Sequence, residues 1–190
     1  MSEVQSTFQL KPGAHVADFS LPDADGKIFS RADVCGDRGL VIVFACNHCP
    51  YVKHLADSLG TLAKEMAPLG VHTVAINSND IENYPQDGPE EMKVFAATHG
   101  WEFPYLLDET QEVAKAYGAA CTPDFFLCDA GGRLFYAGQY DDSRPRSGLD
   151  AHGGDLREAV RLMLGGEQPL VRPYPSSGCN IKWKPGNEPT

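Results

Sequence analysis

An α/β fold built on a parallel strand–helix–strand unit is predicted by three features of the chain. Leu40-Val41-Ile42-Val43-Phe44 is a continuous apolar run rich in β-branched residues, the pattern of a strand buried on both faces. Val52, Leu55, Leu59, Leu62 and Met66 then recur at threes and fours, one apolar stripe of a helix that starts at about Cys49 or Pro50. Val71 to Ile76 is a second apolar run. Strand, helix and strand in that order imply a right-handed parallel crossover.

The remaining elements follow in order. Asp18-Phe19-Ser20-Leu21 and Lys27-Ile28-Phe29 flank Asp23-Ala24-Asp25-Gly26, which predicts a short hairpin. Ser30 is placed to cap a helical turn over Arg31 to Val34. Pro50 suits the first turn of the long helix, where its missing N–H costs nothing. Asn77 to Gly88 is a long polar loop, and loops of that length in a compact domain are often functional. Pro89-Glu90-Glu91 opens a helix to about His99, with acids at the positive end of the dipole. Tyr105 to Leu107 is a short strand or extended segment, and Thr110 to Tyr117 a short helix stopped by Gly118. Asp124 to Cys128, a turn over Asp129 to Gly132, and Arg133 to Ala137 form a second hairpin. Asp155 to Leu164 is the last helix. The segment from Gly165 to Thr190 holds five prolines, so an extended path over the surface is expected. Within it Cys179, Ile181 and Trp183 have reason to dock.

Composition bounds the function. The 190 residues suit one domain over the whole chain, 1–190, with its core at about 13–166 and a tail at 167–190. A formal net charge of −10 argues against nucleic acid or an anionic membrane as partner, because phosphates need a basic surface. The first residues carry an acid and no apolar core, and no run approaches the ~20 apolar residues of a membrane span. A cytoplasmic address is the expectation. Six cysteines, at 35, 46, 49, 121, 128 and 179, then point to redox or metal chemistry or plain burial rather than a disulfide framework.

Cys46-Asn47-His48-Cys49, followed by Pro50, carries the chemistry. It lies where the first strand ends and the long helix begins. A thiol at a helix N-terminus faces unpaired N–H groups and the positive end of the dipole, and both favour the thiolate. Such thiols titrate at roughly 3.5–7.5 rather than about 8.5. A second thiol one turn away can close or resolve a disulfide. Cys46, the more N-terminal, is expected to be the more exposed nucleophile, with Cys49 resolving. A protonated His48 would favour a thiolate. Zinc is the competing use of such a pair, but it prefers four ligands and no second Cys-x-x-Cys exists. No metal or other cofactor is expected.

The element order, with Thr122-Pro123 ahead of a β-hairpin and a closing helix, resembles the thioredoxin fold. That resemblance implies a central mixed sheet flanked by helices, an N-terminal hairpin extension and an extended C-terminal tail. The opening Lys11-Pro12-Gly13 through Asp18-Phe19-Ser20-Leu21 and Asp25-Gly26-Lys27 is similar to the alkyl hydroperoxide reductase/thiol-specific antioxidant branch. Within it, Phe44 to Lys53, Asn77 to Asp80, Tyr117 to Asp124, Asp141 to Arg144 and Gly178 to Lys184 resemble its peroxiredoxin-like members. The chain departs from thioredoxin in having Ala45 for Trp, Leu40 where a buried acid would fall and Pro50 for a basic residue.

The resemblance implies a thiol–disulfide oxidoreductase. A cis Thr122–Pro123 bond would face Cys46 and Cys49, and the Thr122 backbone would pair with a bound substrate strand. Cys121 and Cys179 are candidate accessory thiols, Cys179 in a relay or simply packed beside Trp183. Asp80, Asp141, Asp142 and Arg144 belong to loops expected near the site. Cys35 and Cys128 read as ordinary thiols. The partners implied are protein or small-molecule disulfides, or hydroperoxides, with a thiol system as electron donor; a homodimer stays open. The alternative is a thiol peroxidase with Cys49 as the peroxide-reacting thiol and Cys46 resolving, Cys46 standing where that family has a hydroxyl residue. A metal-carrying module of the same fold is a third reading.

Overall fold

The computed structural model describes residues 3–190. In chain order the strands are β1 (Glu3–Gln5), β2 (Ser20–Pro22), β3 (Ile28–Ser30), β4 (Gly39–Phe44), β5 (Val71–Asn77), β6 (Tyr105–Leu107), β7 (Cys121–Thr122), β8 (Asp124–Asp129), β9 (Leu134–Gly138) and β10 (Ser177–Asn180). The helices are α1 (Arg31–Val34), α2 (Pro50–Met66), α3 (Pro89–Thr98), α4 (Glu112–Tyr117) and α5 (Gly154–Leu164). Five strands form the central sheet in the order β6-β5-β4-β8-β9. β4, β5 and β6 run parallel, while β8 and β9 are antiparallel. β2 and β3 make the expected N-terminal hairpin. This is the thioredoxin fold.

β4 is the middle strand, and its side chains alternate between two cores. Leu40, Ile42 and Phe44 enter one with Val34 of α1 and Ala114 and Tyr117 of α4. Val41 and Val43 enter the other with Leu59 of α2, Phe95 of α3 and Leu156 of α5. Each apolar side chain so buried contributes about 1.5–3 kcal/mol. That double burial explains why the run carries no polar residue, and it fixes the end of β4 as a rigid launch point for Cys46.

Helix ends follow the local chemistry. Ser30 and Asp33 form a capping box at α1. Gly118 adopts the left-handed conformation that ends α4. α2 opens with Cys49 at the N-cap and Pro50 in its first turn. No helix among the described residues is long and apolar enough to cross a membrane.

The C-terminal tail departs from expectation. Rather than running wholly over the surface, it contributes β10 to a three-stranded sheet in the order β1-β10-β7. Cys179 and Ile181 are buried. The prolines explain both parts: they stand at 169, 173, 175, 185 and 189, so residues 176–184 keep every N–H for pairing.

Phe44 has no solvent exposure and packs its ring 5.6 Å from Tyr117 and 5.8 Å from Phe126, centroid to centroid. Phe44→Ala should cost roughly 3–5 kcal/mol of unfolding free energy. Urea denaturation measures it, and a loss under about 1 kcal/mol would mean the two-sided core does not hold the β4 end.

Candidate active site

The loop between β4 and α2 brings Cys46 and Cys49 together, both almost without exposure, at 1% and 0%. Three residues apart, they meet because the chain turns from strand to helix between them. Thr122, at the end of β7 and ahead of a cis bond to Pro123, lies against both. Its hydroxyl is 3.6 Å from Cys46 Sγ. Its carbonyl oxygen accepts from the Cys49 thiol at 3.2 Å. In the antiparallel pairing of β10 with β7, Cys179 stands opposite Thr122. The Cys179 thiol therefore faces Cys49 from the tail.

A buried carboxylate that the sequence reading missed holds this loop. Asp87 lies at the end of a short 3-10 turn over Pro85–Asp87. Its Oδ1 accepts from the backbone N–H of Asn47 at 2.8 Å and of His48 at 3.2 Å. Its Oδ2 meets the His48 ring Nδ1 at 2.5 Å and accepts from the Asn79 amide at 3.0 Å. The His48 ring also stacks on Tyr84. The Asn47 amide oxygen accepts from the Tyr105 hydroxyl at 2.9 Å. Only the length of the polar loop hinted at such a residue; no spacing ties position 87 to position 47.

The three clustered thiols differ. The Cys49 pKa is held well below the usual thiol value, chiefly by hydrogen bonding from Cys179 and then from Cys46, against the cost of burial. The α2 amides, Val52's among them, act in the same sense. Cys46 is raised by its contact with Cys49, by burial and by the Asp87 charge. Cys179 is raised by its contact with Cys49 and by burial. The helix terminus adds to this at Cys49. Cys49, rather than Cys46, is the N-cap, which corrects the expectation that Cys46 lies nearest the dipole; both thiols are buried.

Other predicted residues do different work. Cys121 is buried, donates to the Pro123 carbonyl at 3.5 Å and is raised by burial and then by Asp124. Asp80 accepts from the Asn83 amide at 2.6 Å, and its own N–H donates to the Lys182 carbonyl at 2.8 Å, so it ties the polar loop to the tail. Asp141 accepts from the N–H groups of Ser143, His152 and Gly153 at 2.9, 2.6 and 2.8 Å. Arg144 donates to the Asp141 and Ser143 carbonyls and to Gln139. These bonds shape a loop beside Pro123 and contact none of the three clustered thiols. Asp142 is exposed and meets only the His152 ring, at 3.2 Å. Cys46 Sγ, a His48 ring nitrogen and an Asp87 oxygen lie within 4.8 Å of one another, a three-donor set whose His48 Nδ1 is already engaged by Asp87.

A family model described as AhpC/TSA matches residues 12–137. The chain belongs to the AhpC/TSA family. It is similar over 98% of its length to the crystal structure of a conserved protein of Geobacillus kaustophilus, with 48% identity, 98% of that chain covered and a TM-score of 0.93. A Mycobacterium tuberculosis protein named as a candidate peroxiredoxin, Rv2521, is 32% identical over 60% of this chain and 67% of its own. The thiol-disulfide oxidoreductase ResA of Halalkalibacterium halodurans is 25% identical over 65% of this chain and 66% of its own. The chain spans about two thirds of the length of these two curated relatives.

Asp124, directly after Pro123, is fully buried between the Ser6 hydroxyl and the Ala120 N–H. Burial lifts its carboxyl from 3.8 to about 6, outweighing those hydrogen bonds. A folded-state value above the unfolded one stabilises below pH ~4, and that stability is lost as pH rises through about 6. The displacement corresponds to roughly 3 kcal/mol. Wild-type unfolding free energy, measured relative to Asp124→Asn, should therefore fall by about that amount from pH ~3.5 to pH ~7. A flat or rising difference would contradict the assignment.

Proposed function

We propose that the chain is a thiol–disulfide oxidoreductase whose redox pair is Cys46 and Cys49, with Cys49 as the attacking thiolate. The observation that carries this is the contact of two thiols at the N-terminus of α2, one of them the N-cap itself. Cys49 attacks a disulfide sulfur of a protein or small molecule, and the leaving thiolate takes a proton. Cys46 then attacks Cys49 in the mixed disulfide, closes the Cys46–Cys49 bond and releases the second substrate thiol. A thiol reductant restores the pair. Asn47 and His48 hold the loop through Tyr105 and Asp87, Pro50 starts the helix, and Thr122 orients both sulfurs. The reducing cytoplasm is the proposed setting, where the thiols outside this cluster would stay reduced.

Peroxide reduction is the second reading. It draws on Cys49 standing at a helix start directly before Pro50, and on the named relative. Cys49 would cleave the O–O bond to give a sulfenate and an alcohol or water, and Cys46 would displace water from it to form the same disulfide. No hydroxyl stands at the position of Cys46 to assist.

Single-turnover oxidation of the reduced protein by a model protein disulfide and, separately, by hydrogen peroxide, followed by mass spectrometry, tests both. Cys49→Ser should abolish reaction with either oxidant. Fast exchange with slow peroxide consumption is expected of the wild type. Fast peroxide consumption with slow exchange would make the second reading correct, and an undiminished Cys49→Ser protein would overturn both.

A further inference from the structure

A third thiol completes the cluster in a way the two-cysteine cycle does not use. β10 lies on the Thr122 backbone, the same edge that a substrate strand would need in order to reach Cys46 and Cys49. The register puts Cys179 opposite Thr122, whose carbonyl oxygen is the hydrogen-bond partner of Cys49. Cys46, Cys49 and Cys179 are all buried on the same side of the core. The tail is shaped for this seat. A Cβ on Gly178 would overlap the Thr122 carbonyl, so only glycine lets β10 lie this close. Further along, the Lys182 N–H donates to the Asn79 side chain at 2.9 Å, and the Gln111 amide donates to the Lys182 carbonyl at 2.9 Å.

We infer that Cys179 is a third redox thiol that exchanges with Cys46 for the disulfide to Cys49, the chain's own tail standing where a substrate strand would lie. The inference rests on the thiol–disulfide reading above. In the oxidised pair the Cys179 thiolate attacks Cys49 Sγ along the tail side. The Cys46–Cys49 bond breaks, a Cys49–Cys179 bond forms, and the electron pair leaves on Cys46 Sγ, which takes the proton Cys179 gave up. Two electrons stay stored in the same oxidation state throughout, so no outside oxidant or reductant enters the step. The two flanking thiols are both buried, and each has Cys49 as its thiol neighbour. Both are thiols within reach of the same Cys49 sulfur, so the exchange swaps one S–S bond for another of the same kind. In the Cys49–Cys179 form the tail is covalently tied over the Thr122 edge, while Cys46 is returned as a thiol.

The test uses the full chain as wild type, Cys46→Ser and Cys179→Ser, equilibrated in glutathione buffers of graded ratio. Samples are quenched in acid, alkylated and digested without reduction, and the linked peptides are mapped by mass spectrometry. Wild type should give both Cys46–Cys49 and Cys49–Cys179 links, at a ratio that does not change with the buffer, because their exchange consumes no glutathione. Cys46→Ser should give Cys49–Cys179, and Cys179→Ser only Cys46–Cys49. Wild type with Cys46–Cys49 alone at every ratio would overturn the relay and leave the two-cysteine reading standing. That wild-type result decides the matter even if Cys46→Ser proves unfolded. Wild type with neither link would overturn both.

Discussion

Asp87 is a buried anion whose hydrogen bonds go to the loop that carries the thiols. Two backbone N–H groups, an imidazole and an amide converge on its two oxygens. A buried carboxylate is costly unless fully partnered, so the loop and the carboxylate fix each other. The direction of Cys46 and Cys49 follows from that arrangement, since the peptide groups of Asn47 and His48 lie between them. Asn79 extends it: its amide donates to Asp87, while its oxygen accepts from Lys182 in the tail. The C-terminal segment is thereby joined to the thiol loop through a single side chain.

The thiols themselves divide the labour, with Asp87 adding to it at Cys46. Contact with Cys49, burial and then the Asp87 charge oppose ionisation of Cys46, whereas hydrogen bonding from Cys179 and Cys46, with the Val52 amide of α2 adding to it, favours it at Cys49. Negative charge is therefore drawn to the sulfur that also faces the Cys179 thiol. Nucleophile, resolving thiol and tail thiol are distinguished by position within one cluster, without any basic residue in direct contact with the sulfurs among the described hydrogen bonds. The acid missing from β4, where Leu40 stands, is not replaced in place. Among the buried carboxylates, two lie close to the thiols from other elements, Asp87 beside the loop and Asp124 behind Pro123.

Much of the fold was legible because its signals are local. The β4 run, the α2 stripe, the capping serine at 30 and the stop at Gly118 each depend on neighbours in sequence, and each stands where it was expected. The pair Cys46 and Cys49 was visible for the same reason. What was not legible depends on distant pairing. β1 is three residues long, and β10 sits in a proline-rich tail, so neither has a periodicity of its own. Asp87 looks like any loop acid until the chain folds back 40 positions to bring it under Asn47. The choice between Cys46 and Cys49 also turned on a detail of one residue, namely which thiol is the N-cap. Motif spacing alone does not resolve that.

Residue-resolved alkylation of the reduced protein as a function of pH tests most directly whether Cys49 carries the thiolate. Brief iodoacetamide pulses, with each cysteine quantified by mass spectrometry, give separate profiles for Cys46, Cys49 and Cys179. Cys49 should show a midpoint well below the free-thiol value of about 8.5, with Cys46 and Cys179 reacting only above it. A profile in which Cys46 ionises first, or in which all three share a midpoint near 8.5, would contradict the assignment of Cys49 as the thiolate.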